Sequence, residues 1–166
     1  MASSASWWAS KVRQFRAHLR ARVGSSERAE LATWLSPAQL ALFDGMHVAD
    51  RRHGLDVAAA LRREGVRDPD VLLAGLLHDA GKGDTGLWPR VAYSLSTAYG
   101  AWAGRVARRL PGFGEALDRL ERHAELSAAM AAAAGCGPRT VELILRQDAP
   151  TDPEYGELLR LADEAN

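Results

Sequence analysis

At 166 residues the chain suffices for one domain with a real hydrophobic core and is too short for two full ones. Its 47% hydrophobic and 25% charged residues exclude wholesale disorder and a fibrous or rod-like protein, and the cancelling 21 basic and 21 acidic side chains argue against nucleic acid as the main partner. One cysteine (Cys136), no apolar run near the roughly 18 residues of a membrane span, and Lys11, Arg13, Arg16 and Arg20 where a secretory signal would stay apolar together predict a soluble protein of the reducing cytoplasm.

Strand patterns are almost absent, whereas helical spacing recurs from end to end. Trp8, Val12, Phe15, Leu19 and Val23 follow a 3-4-3-4 spacing, which predicts an amphipathic helix ending near Gly24 with a basic stripe beside the apolar one. Ser36-Pro37-Ala38-Gln39 combines an N-cap serine, a proline at the first helical position and a glutamine that can reach back, so a short helix should start there. A longer helix is expected over 46–64, stopping at Gly65. Asp68-Pro69 repeats the cap-plus-proline start before Val71, Leu72, Leu73, Leu76 and Leu77, an apolar run covering most sides of a helix that belongs in the middle of the domain. Glycines 81, 83 and 86 break it, and further helices are expected over 88–109, 115–134, 138–148 and 153–165. The prediction is an all-α single compact domain of about seven to eight helices.

The chemistry-bearing residues interrupt this apolar pattern. His78-Asp79 stands at the end of the central helix, where a carboxylate needs a counter-charge that a divalent cation would supply. Gly75, three and four residues earlier, shares their face and is expected to leave room beside them. His53 falls on the inward face with Val57 and Ala60, Asp163 follows Leu159 by four residues beside Ala162, and His123 lies on one face with Leu120, Leu126, Ser127 and Met130. Five inward groups of metal-binding type, His78-Asp79 at the end of one helix and the other three on other helices, point to a site. His18 and His47 fit no such pattern and are expected to be ordinary packing or surface residues.

The order His53, then His78-Asp79, then Asp163 resembles the H…HD…D pattern of the HD-domain superfamily. Leu76-Leu77-His78-Asp79-Ala80-Gly81-Lys82 is similar to that family's apolar-HD-x-G-K segment, and Leu161-Ala162-Asp163-Glu164-Ala165-Asn166 to its A-D-x-x-N helix. The resemblance covers about residues 46–166 and leaves 1–45 as a helical extension packed on the core. It implies an HD-domain-like, metal-dependent phosphohydrolase in which His53, His78, Asp79 and Asp163 ligate one divalent cation. Mn, Fe, Co, Ni or Zn suits such mixed ligands, and Mg is possible. It further implies that the metal lowers the pKa of its water and polarises the phosphoryl group. Lys82 matches the family's lysine and would meet substrate phosphate, with Arg52 and Arg90 as weaker candidates for the same task and Asp84 as a proton shuttle.

Arg122-His123-Ala124-Glu125-Leu126-Ser127 resembles the H-P-E-x-G stretch of binuclear members, with Ala124 in place of the proline. The further histidine expected near Arg146-Gln147-Asp148 is missing. His123 and Asp148 are therefore candidates for a second, weaker metal site, and Gln147 reads as a poor ligand. The expected substrate is a small phosphorylated metabolite, with a nucleotide foremost. A regulatory module that senses a metal or ligand is the alternative on the same fold, and a diiron oxygenase comes third. The sequence leaves the oligomeric state open.

Overall fold

A computed structural model describes residues 21–166, and every regular element within them is helical. In chain order these are α1 (Ser25–Leu31), α2 (Pro37–Gly45), α3 (Val48–Arg63), α4 (Pro69–Leu77), a 3-10 turn (Ala80–Lys82), α5 (Leu87–Tyr99), α6 (Ala101–Ala107), α7 (Phe113–Glu121), α8 (His123–Ala133), α9 (Pro138–Leu145) and α10 (Gly156–Ala165). The fold is all-α, as the spacing predicts. No helix among the described residues is long and apolar enough to cross a membrane.

The capping signals lie where the sequence places them. Ser36 Oγ accepts from the Gln39 N–H at 3.2 Å while Gln39 Oε1 accepts from the Ser36 N–H at 2.9 Å, a reciprocal box at the start of α2. Asp68 Oδ1 accepts from the Asp70 N–H at 2.9 Å and opens α4 ahead of Pro69.

Two expected helices are each split. The segment over 88–109 divides into α5 and α6 at Gly100, whose φ of 95° is a left-handed value that an L side chain rarely takes. The segment over 115–134 divides into α7 and α8 at Arg122 (φ −108°, ψ 13°), where no glycine or proline announces a break. The short helix α1 carries no apolar period long enough to be seen, and the Glu27 carboxylate accepts from the Gly24 N–H at its start. The amphipathic helix expected around Trp8, Val12, Phe15 and Leu19 lies outside the described residues, except that residues 21–24 are not helical.

Helix α4 is the centre of the molecule. Every residue from Val71 to Leu77 is buried, because α3, α9 and α10 pack around it. Leu31, Leu35 and Phe43 from the first third of the chain join the same core as Leu61, Leu76 and Ile144.

Glycine sets the closest crossings. A Cβ on Gly54 would stand 2.3 Å from the Leu76 carbonyl oxygen, so α3 and α4 touch backbone to backbone next to His53 and just before His78. Gly75 has a different role from the one its position suggests. The space it leaves is filled by Leu61, Val57 and Leu159, whose nearest atoms would lie 2.9, 3.2 and 3.6 Å from a Cβ there. It serves helix packing rather than room for a ligand.

Candidate metal centre

The site assembles where α4 gives way to the 3-10 turn. His78 is the C-cap of that helix, and its Nδ1 lies 2.9 Å from the Gly75 carbonyl oxygen, to which it donates, so Nε2 points away from the helix. Asp79 follows as the cap of the 3-10 turn. Both are buried, at 2% exposure.

Helix α10 brings Asp163 across to them, and α3 brings His53. His53 Nε2 donates to Asp163 Oδ1 at 2.7 Å, and that same oxygen stands 3.3 Å from His78 Nε2. The two imidazoles meet edge to face with centroids 5.2 Å apart. Ligand atoms of His53, His78 and Asp163 all lie within 4.8 Å of one another, a cluster able to hold a metal ion.

Asp79 sits at the border of this cluster. Its Oδ1 is 3.4 Å from His78 Nε2 but outside the mutual set of three, and its Oδ2 accepts from Lys82 Nζ at 2.6 Å. Among the described residues neither His78 Nε2 nor Asp79 Oδ1 has a hydrogen-bond partner, although both are buried. Two facing buried groups without partners are costly unless something binds between them. A donor set of two imidazoles and two carboxylates suits a divalent first-row cation, so the residues fit the metal that the H…HD…D pattern implies.

The electrostatics follow from this crowding. Burial alone would depress the His78 imidazole, but the Asp79 and Asp163 carboxylates outweigh it and raise its pKa to about 9. Burial would raise the two carboxyl groups, yet His78 and Lys82 hold Asp79, and His53 and His78 hold Asp163, well below the usual carboxylate range. Lys82 is pushed down by burial and raised further by Asp79, leaving it more basic than an ordinary lysine.

The other sequence-predicted residues are scattered around this centre. Arg52 is bound to Glu27 at 2.6 Å and to Asp56 at 2.8 Å, which leaves its guanidinium committed to carboxylates. Arg90 holds both oxygens of the buried Asp50, at 2.5 and 2.7 Å, and also donates to Gly83 O and Thr85 Oγ1. Asp84 is exposed and caps no helix, since α5 starts from Gly86 without a side-chain cap. His47 opens α3, its Nδ1 accepting from the Ala49 N–H at 3.2 Å. His18 lies outside the described residues.

His123 reaches the rim of the centre, with Nε2 3.8 Å from Asp79 Oδ1. Its Nδ1 donates to the Leu120 carbonyl at 2.7 Å, and burial holds its pKa below the ordinary value. The group at its Nε2 is the buried Gln147 amide at 3.0 Å, while Asp148 is exposed.

Three residues outside the sequence-predicted set shape the site. Asp50, three residues before His53 and on its face, anchors Arg90. Ser127 Oγ accepts from the Gly81 N–H at 2.8 Å and Arg119 Nε donates to the Gly81 carbonyl at 2.9 Å, so α7 and α8 clamp the 3-10 turn from both polar sides. That clamp needs Gly81, because a Cβ there would stand 2.4 Å from the His123 carbonyl oxygen. The i+4 step from His123 to Ser127 was the only sequence signal for it. Comparison of the chain with models of known protein families, with curated proteins and with solved structures found no match.

Proposed function

We propose that the protein is a divalent-metal-dependent phosphohydrolase acting on a small phosphorylated metabolite, with nucleotides as the substrate class to test first. The reading is supported above all by the buried, partnerless His78 Nε2 and Asp79 Oδ1 facing each other at 3.4 Å beside the His53–Asp163 pair. His53, His78, Asp79 and Asp163 would hold the cation. When bound, a cation of the manganese, iron, cobalt, nickel or zinc type, or magnesium, supplies Lewis acidity that makes a water nucleophilic near neutral pH and draws charge from the phosphoryl group.

Around it the chain's own residues divide the work. Gly75 O fixes the His78 ring through Nδ1, and Leu120 O does the same for His123. Lys82 touches a ligand carboxylate while keeping part of its side chain, 26%, open to solvent. It neutralises Asp79 in the metal-free protein and is placed to accept a phosphate as its second anion.

Phosphate release from nucleoside mono-, di- and triphosphates by protein stripped of metal and reloaded with Mn²⁺, Co²⁺ or Mg²⁺ tests the proposal. Turnover that follows metal loading supports it. Stoichiometric metal binding without turnover on any of them would favour the sensing module instead.

Lys82→Ala separates substrate binding from metal binding. Losing a charge-assisted contact of about 1.5–3 kcal/mol should lower kcat/KM roughly tenfold to a hundredfold. Metal affinity should hold or tighten, because the ammonium competes with a cation for Asp79 at 2.6 Å. Steady-state rates and metal titration on the same preparation check both, and unchanged kcat/KM removes Lys82 from the substrate.

Metal should abolish the loss of stability that the metal-free protein suffers on the alkaline side. The folded-state pKa of His78 lies near 9, above the reference 6.5, so in the metal-free protein its contribution is full below pH 6.5 and is lost as pH rises through 9. A metal ligand must be neutral, so stabilisation by metal should grow over that same interval. Thermal unfolding of metal-free and Mn²⁺-loaded protein across this range reads both slopes. Parallel slopes would separate His78 from the metal.

A further inference from the structure

We propose that Gln147 restricts the centre to a single metal ion, by donating an amide N–H into the one lone pair that His123 could offer a second. The inference rests on the reading of His53, His78, Asp79 and Asp163 as a metal centre and concerns what lies next to it.

A neutral imidazole has one N–H and one lone pair. His123 Nδ1 lies 2.7 Å from the Leu120 carbonyl oxygen, which can only accept, so the hydrogen is on Nδ1 and the lone pair on Nε2. Gln147 Nε2 stands 3.0 Å from His123 Nε2, on the side of that lone pair. An amide oxygen in the same place would set lone pair against lone pair, so the amide orientation follows from the tautomer. Gln147 Oε1 is then left buried without a partner among the described residues. The side chain thus gives up satisfaction of its oxygen in order to seal the imidazole nitrogen.

Without the seal, a second ion would find His123 Nε2 and, 3.8 Å away, the partnerless Asp79 Oδ1. With it, an N–H points where the cation would have to enter. A donor hydrogen repels a cation, whereas an oxygen of the same reach would bind one. Gln147 is therefore a positioning and specificity residue: it orients His123 and sets metal stoichiometry without touching the first ion.

Two measurements test this. In nitrogen-15 imidazole spectra of the metal-free protein, His123 should be the Nδ1–H tautomer with Nε2 unprotonated. An Nε2–H tautomer overturns the proposal, whatever the metal content. Elemental analysis after equilibration with Mn²⁺ and gel filtration should give one equivalent in the wild type and two in Gln147→Glu, which exchanges the donor nitrogen for an acceptor oxygen at nearly constant shape. Gln147→His carries the same expectation and decides the matter if the glutamate variant does not fold. Two equivalents in the wild type, or one in a folded variant, overturns the proposal while leaving the metal centre standing. A wild type that retains no Mn²⁺ removes the centre and the proposal together.

Discussion

Asp79→Ala should lose a large part of its stability together with the proposed metal binding and phosphohydrolase activity. The carboxylate is buried, its Oδ2 neutralises Lys82 at 2.6 Å, and its Oδ1 faces the His78 and His123 nitrogens at 3.4 and 3.8 Å. Truncation takes from Lys82 the carboxylate it touches and from the basic His78 one of its two, leaving it Asp163, and breaking a buried pair from one side costs about 3–5 kcal/mol. Asp79→Asn separates the two losses, since it keeps the shape and removes the charge that holds the cation. Elemental analysis and urea unfolding of both variants check the expectation. Full metal retention in Asp79→Ala would take this residue out of the ligand set.

Arg90→Ala should be destabilising rather than merely impaired in substrate binding. Asp50 is buried at 4% exposure, and Arg90 donates to both of its carboxylate oxygens, while pinning the loop through Gly83 and Thr85. A buried carboxylate that loses its guanidinium costs about 3–5 kcal/mol by the same reasoning. Removing Asp50 as well should recover part of that loss, because the charge left stranded is then gone. Urea unfolding of the two single variants and the double variant gives the coupling. A phosphate-binding role alone predicts the opposite pattern: raised KM and an unchanged unfolding midpoint.

The His53, His78 and Asp163 cluster was legible because its members break a rule. His53, His78 and Asp163 occupy inward positions of otherwise apolar helices, and periodicity exposes such intruders without any knowledge of what surrounds them. The supporting residues break no rule. Asp50 precedes Arg51 and Arg52 and reads as part of a charged surface, until α5 brings Arg90 against it across 40 residues of chain. Arg52 and Arg90 were candidates for phosphate because a sequence shows charge without its partners. Gln147 reads correctly as a weak ligand, but its significance depends on the hydrogen of another side chain, which Leu120 fixes from a different helix. Helix starts were legible where Ser36 and Asp68 cap them before proline. The break at Arg122 was not, because the apolar spacing continues through it and only the tertiary docking of α8 on the 3-10 turn interrupts the backbone.

The bond between His53 and Asp163 joins residues 110 positions apart. Helix α10 is only ten residues long, and it rests on α3 and α4 through Leu159, Ala162 and the aspartate itself. A ligand that grips His53, His78 and Asp163 together therefore works as a clasp on the topology: it closes a loop of most of the domain, and the entropy of that closure is charged to binding. Occupancy of the centre and attachment of α10 would then be a single linked equilibrium, in which such a ligand tightens a whole helix and not only a few side chains.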